Sequence, residues 1–163
     1  MYRKNILTMK LIKTIIQVLA VPALLFATAS AQTNNPKPLV DAQNFVFTAQ
    51  TVSPAYGNLR QLTTGEYTLS VSNGVMVADL PYFGRAFSAP IDPTQGGLQF
   101  TSKSFDYAVK DKRKSWDIAI KPRDAGDATQ LYLTVYNNGT ASLQVISANR
   151  QPISFNGIIE EKK

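Results

Sequence analysis

The sequence predicts an all-β domain: a single antiparallel meander of about eight strands, either a small closed barrel or a two-layer sandwich, preceded by a signal-peptide helix. Three observations carry this expectation. From Asn44 onward apolar residues recur at every second position, as in Phe45, Phe47 and Ala49 or Tyr67, Leu69 and Val71. Ser72-Asn73-Gly74 and Asn137-Asn138-Gly139 fall between alternating runs and supply the positive-φ residues that tight hairpins require. After residue 31 no helical stripe longer than about ten residues survives, which argues against α/β and helical classes.

The chain opens on Arg3, Lys4, Lys10 and Lys13 with no acidic residue, then runs apolar from Ile15 to Ala27, and reaches Ala29-Ser30-Ala31 before Gln32. A charged start, an apolar middle and a small-x-small site are the parts of a secretory signal peptide, with cleavage expected after Ala31. The apolar run is about 13 residues, short of the roughly 20 that span a bilayer, and Pro22 interrupts it. Met9, directly before Lys10, is an alternative start to Met1 that gives a more ordinary charged region. No Cys follows the cleavage point, so a lipoprotein anchor is excluded, and the product is expected in the periplasm or outside the cell with no membrane span after cleavage.

Residues 32–43 read as a linker or short helix: Thr33-Asn34-Asn35-Pro36-Lys37-Pro38 is polar and proline-broken, and Pro38 suits the first turn of a helix through Ala42. The β domain is expected over 44–160, with strands near 44–51, 65–72, 75–80, 98–109, 115–121, 129–136, 140–147 and 152–159. Trp116 alternates with Ile118 and Ile120 and is expected inside, whereas Asp106 and Asp117 fall on the polar side of their strands. Closure into a barrel removes exposed edges, which slightly favours it over a sandwich.

Residues 79–97 break the pattern. They carry three prolines, three aromatics and the single basic residue Arg85 without a lasting period, and a connection of this length in a meander is often functional. A second irregular spot is Ser147 to Pro152. The order LPYFGRAF at 80–87, Gly-Gly-Leu-Gln-Phe at 96–100, the stretch Arg113 to Ile118, and Asn149-Arg150-Gln151-x-Ile153-Ser154-Phe155-x-Gly157 resemble the secreted Bacteroidetes family called domain of unknown function 4251. The resemblance covers nearly all of residues 40–160. It implies export and a β fold, and brings no activity, substrate or cofactor.

The candidate ligand-binding residues are Tyr82, Phe83, Arg85, Phe87 and Arg150. Two roles are open to the arginines. Their planar donor forks suit an anionic or sugar-like ligand at a pocket mouth, and suit equally the backbone carbonyls that irregular loops leave unpaired. The three aromatics are either core at one end of the barrel or a platform for a glycan or peptide.

Composition excludes much chemistry. With no Cys and no His there is no disulfide, thiol nucleophile, imidazole base or Cys/His zinc site. The +6 charge is misleading, since four of the 17 basic residues lie before residue 32, leaving 13 against 11 acidic ones. Nucleic acid is therefore not an expected partner. The one basic cluster, Lys110-Asp111-Lys112-Arg113-Lys114, reads as a charged turn or as a patch for anionic glycans. Asp124-Ala125-Gly126-Asp127 lacks the ligand-rich spacing of a calcium loop, and no metal or cofactor is expected.

The sequence-based expectation is an exported, monomeric binding or structural module of a Gram-negative cell envelope, whose partner is a small molecule, glycan or envelope protein. The alternative is a small carboxylate-dependent hydrolase of an envelope polymer or glycan, using a pair such as Asp79 and Asp92. No set of nucleophile, base and orienting group assembles from the sequence, so catalysis is the less favoured class.

Overall fold

A computed structural model describes residues 35–63, 65–87, 96–125 and 128–162. The expected signal peptide, its cleavage point, Met9 and Asp92 lie outside the described residues. Pro38 does sit in the first turn of a helix, α1 (Lys37–Asp41), whose Val40 is fully buried in the core. Ten strands follow: β1 (Phe45–Pro54), β2 (Arg60–Gln61), β3 (Thr68–Ser72), β4 (Val75–Leu80), β5 (Leu98–Ser102), β6 (Phe105–Asp111), β7 (Ser115–Pro122), β8 (Ala128–Tyr136), β9 (Thr140–Ser147) and β10 (Ile153–Glu161).

All belong to one antiparallel sheet in the order β5-β4-β3-β1-β10-β9-β8-β7-β6, with β2 paired to β1. Eight antiparallel steps separate β5 from β6, so these two end strands run in the same direction. Only Lys103 and Ser104 lie between them. The two edges of the sheet are thus successive parts of one bent strand, the first paired with β4 and the second with β7, and the sheet is nearly closed into a barrel.

The single strand expected at 98–109 is therefore two. The reason lies in the side-chain phase. Leu98, Phe100 and Ser102 turn inward on even numbers, whereas Phe105 and Tyr107 pack on the core from odd ones. The slip is fastened by Asp124, which accepts from the Ser102 hydroxyl and from the Lys103 N–H (3.0 Å), while the Arg123 N–H donates to the Ser104 carbonyl (2.8 Å). These bonds hold the Asp124 carboxyl below its ordinary pKa, with the Ser102 hydroxyl the largest cause.

β1 makes the same kind of slip. Phe45, Phe47 and Ala49 face inward, a bulge falls between Ala49 and Thr51 opposite Gly157 and Asn156 of β10, and Val52 and Pro54 face inward thereafter. Gly157 is a close-approach position: a Cβ there would overlap the Thr48 carbonyl oxygen and lie 2.9 Å from its carbon.

The interior is built from large apolar side chains. Phe45, Phe47, Phe155, Leu69, Met76 and Leu143 are all buried to under 2% exposure. At the α1 end the Tyr107 hydroxyl donates to the Val40 carbonyl (3.0 Å), and burial pushes the phenol well above its ordinary pKa. Trp116 is partly buried against this core, as its alternation predicts. Among the described residues, no helix is long and apolar enough to cross a membrane.

Candidate functional site at the loop end of the barrel

The pairings Pro54 with Ile153, Leu80 with Leu98 and Ala128 with Ser147 place the β1–β3, β4–β5, β7–β8 and β9–β10 connections at the same end of the barrel. The two irregular segments of the sequence meet there. Ala86 and Arg150 form an isolated antiparallel bridge, the Phe87 N–H donates to the Asn149 carbonyl (2.8 Å), and the Gln151 N–H donates to the Arg85 carbonyl (3.1 Å). LPYFGRAF is thus laid along NRQ by backbone bonds, which satisfy groups that a long loop would otherwise leave unpaired.

Two side chains lock this seam. Tyr82, packed against the core, shares its hydroxyl proton between the carbonyls of Arg85 (2.8 Å) and Gln151 (3.1 Å). Gly84 makes room for that hydroxyl, since a Cβ there would sit 2.5 Å from it. Burial raises the Tyr82 phenol above its ordinary pKa, against the opposing pull of the Gln151 backbone and the Arg150 charge. Arg150 is only 9% exposed; its Nη1 donates to the Gly97 carbonyl (2.8 Å), and its guanidinium lies over the Tyr82 ring at 5.2 Å. The far end of the β4–β5 connection is fastened through Gly97 to the same arginine.

The remaining candidates are exposed: Phe83 by 40%, Phe87 by 71%, and Arg85, whose carbonyl joins the seam while its side chain is open to solvent. The five candidate residues therefore divide into an inward set, the buried Arg150 and the partly buried Tyr82, and an outward set, Phe83, Arg85 and Phe87. Sequence reasoning missed Arg60 of β2, whose guanidinium stacks over Phe83 at 4.9 Å, and the exposed Tyr56 and Leu59 beside it in the chain. The available signal was two apolar residues in a stretch without alternation. It also passed over Asp124 as a structural clamp, having weighed it only as a calcium ligand.

The described carboxylates considered for hydrolysis each hold a neighbour. Asp79 accepts from Gln99 (2.8 Å), Asp106 pairs with Arg123 (2.6 Å), and Asp117 binds Lys112 and the Thr134 hydroxyl (3.0 Å). The Lys112 bond is the largest cause holding the Asp117 carboxyl below its ordinary pKa. Among the described residues no group of three or more acidic side chains is placed to hold a metal ion.

The comparisons with known proteins agree with the barrel. The crystal structure at 1.95 Å of a DUF4251 family protein from Bacteroides eggerthii DSM 20697 is similar, with a TM-score of 0.56 and 18% identity, covering 79% of this chain and 87% of that one. No curated protein matches the chain. The family described as Domain of unknown function (DUF4251) matches residues 27–159, most of the chain, and the chain belongs to that family.

Proposed function

We propose that this protein is an exported binding module of the cell envelope, which takes its partner on the loop end of the barrel. The observation that carries the reading is the division of the loop end into a fastened base and an open rim. Tyr82 and Arg150 fasten residues 80–87 and Gly97, while Phe83 and Phe87 stay 40% and 71% exposed. Rings held in advance lose little conformational freedom on binding, so such a rim favours association. Phe83, Phe87, Arg85 and Arg60 together offer ring faces and cationic forks suited to a peptide or glycan. Export is supported by the charged, apolar and small-x-small order of residues 1–31.

The test is a glycan and peptide array probed with the purified mature domain. Capture by the wild type, lost in F83S/F87S with an unchanged melting temperature, is the expected result. Capture indifferent to both rings, or turnover of an arrayed polymer, speaks against a rim-binding module.

A further inference from the structure

A hollow lies on the outer wall of the barrel, away from the loop-end rim. The ladder register sets two rows of outward side chains across β6, β7, β8 and β9: Ala108, Ala119, Tyr132 and Gln144 in one, and Lys110, Asp117, Thr134 and Ser142 in the next. The two alanines leave a hollow of about 320 Å³ between Lys110 and Tyr132, at the small end of the range for ligand sites. Tyr132 is 42% exposed, and Tyr136, on the same face four residues along β8, is 43% exposed. An alternating strand that points aromatic rings at water and alanines beneath them has made a surface shaped for something flat.

The charges around the hollow select the sign of its occupant. Asp117 is the acidic residue of the two rows; Lys112 and Thr134 bond it, and Lys110 acts on it across the ladder, so three groups share one carboxylate. Asp111, on the other face of β6, reaches Lys37 of α1 at 3.4 Å. What faces outward in excess is cationic: Lys110 on the hollow itself, with Arg113 and Lys114 exposed at the hairpin beyond it. The neighbouring side chains, Thr134, Ser142 and Gln144, are neutral hydroxyls and an amide, which pair with a hydroxyl-rich ligand. The domain as a whole is too near neutrality for a phosphate polymer, with 13 basic against 11 acidic residues after residue 31.

We propose that the outer face of β6–β8 binds an acidic glycan, with a sugar ring seated on Ala108 and Ala119 against Tyr132, its carboxylate at Lys110 and its hydroxyls on Thr134. The charge complementarity at Lys110 distinguishes this occupant from a neutral sugar. The hydroxyls of Thr134 and Ser142 and the amide of Gln144 in these rows distinguish it from an apolar partner.

Amide chemical shifts of the mature domain, titrated with a galacturonate trisaccharide, test the assignment. The expected result is saturable shifts at Ala108, Ala119 and Tyr132, and binding of the neutral galactose trisaccharide about tenfold weaker or less, the size of one lost ion-pair contact. Y132A should weaken galacturonate binding roughly tenfold, as one aromatic contact is lost. K110E should remove the preference for the acid, and A119F, which fills the hollow from an outward position, should abolish binding. Val77→Thr, on the outer face of β4, should bind as the wild type does. Equal binding of the two trisaccharides, shifts confined to other strands, wild-type affinity in both Y132A and A119F, or tighter binding of a glutamate-rich peptide would each overturn the proposal.

Discussion

Replacing Gly157 by Ala should destabilise the protein by roughly 2–4 kcal/mol, although a glycine inside a strand ordinarily costs about 0.5–1 kcal/mol relative to alanine. The sign reverses because of where Gly157 sits. It pairs with Ala49 of β1 at the point where the register shifts, and the carbonyl of Thr48 leans into the space that a side chain would fill. The added methyl would overlap that oxygen and lie 3.1 Å from the Ala49 Cα, so backbone rather than a flexible side chain must give way. Overpacking of a core costs about 1–3 kcal/mol, and each ladder bond lost as β1 moves adds about 1 kcal/mol. For a domain of about 130 residues this corresponds to a fall in Tm of roughly 8–15 °C, followed by circular dichroism of the mature chain. Asn156→Ala, at the exposed neighbouring position, serves as the control and should stay within about 0.5 kcal/mol of the wild type. A G157A variant that melts at or above the wild-type temperature would refute the close approach, and with it the bulge that sets the register of β1.

Tyr82→Phe, which removes only the shared hydroxyl, should cost about 1 kcal/mol and lower Tm by a few degrees, read by the same melt. Arg150→Met should cost more, about 1.5–3 kcal/mol, because it removes a charged donor from the half-buried Gly97 carbonyl and the stack on Tyr82. Asp124 has its folded pKa lowered, so its contribution is present above the unfolded value near 4 and is lost as pH falls through the folded one. Melts from pH 6 downward should therefore show a shallower acid loss in Asp124→Asn than in the wild type, and identical slopes would remove Asp124 from the clamp. Mass spectrometry of the envelope fraction should find an N-terminus at Gln32, in open or cyclised form; intact residues 10–31 on the mature protein would contradict export by cleavage.

Where the alternation stays in phase, the strands could be read directly: β7, β8 and β9 fall close to their expected positions because every second residue from Ile118 to Ile120 and from Leu131 to Val135 is buried. The departures come from two slips of phase. In β1 the apolar set passes from Phe45, Phe47 and Ala49 to Val52, and along the bent strand from Leu98 and Phe100 to Phe105 and Tyr107. Each slip was present in the sequence, but a change of parity has two physical outcomes. A bulge keeps one strand paired with the same neighbour, whereas a break hands it to another. The choice at 103–104 depends on Asp124, some 20 residues away in the chain, which no local pattern announces.

The loop end was legible as a pair of irregular segments and illegible as a seam, since its bonds are mostly backbone to backbone and say nothing through residue type. Residue type does not separate the two arginines, for which the same two roles are open; their burial does. A buried guanidinium must find carbonyls, and Arg150 has Gly97; an exposed one is under no such demand, and Arg85 lies open. The aromatics obey the same logic in reverse. Fully burying a phenylalanine is worth about 1.5–3 kcal/mol, and the fold gains that at Phe45, Phe47 and Phe155 but forgoes most of it at Phe87. One exposed ring is ordinary on a protein surface. Phe83 and Phe87, on the stretch 80–87 that Tyr82 and the backbone bonds fasten, with Tyr56 and Leu59 exposed on another connection at the same end, make a concentration of exposed apolar surface, of which only Phe83 carries a cation, Arg60, among the described residues. On the binding reading proposed above, these outward rings are the surface that a partner would cover, and F83S/F87S is the variant that separates that reading from a purely structural role.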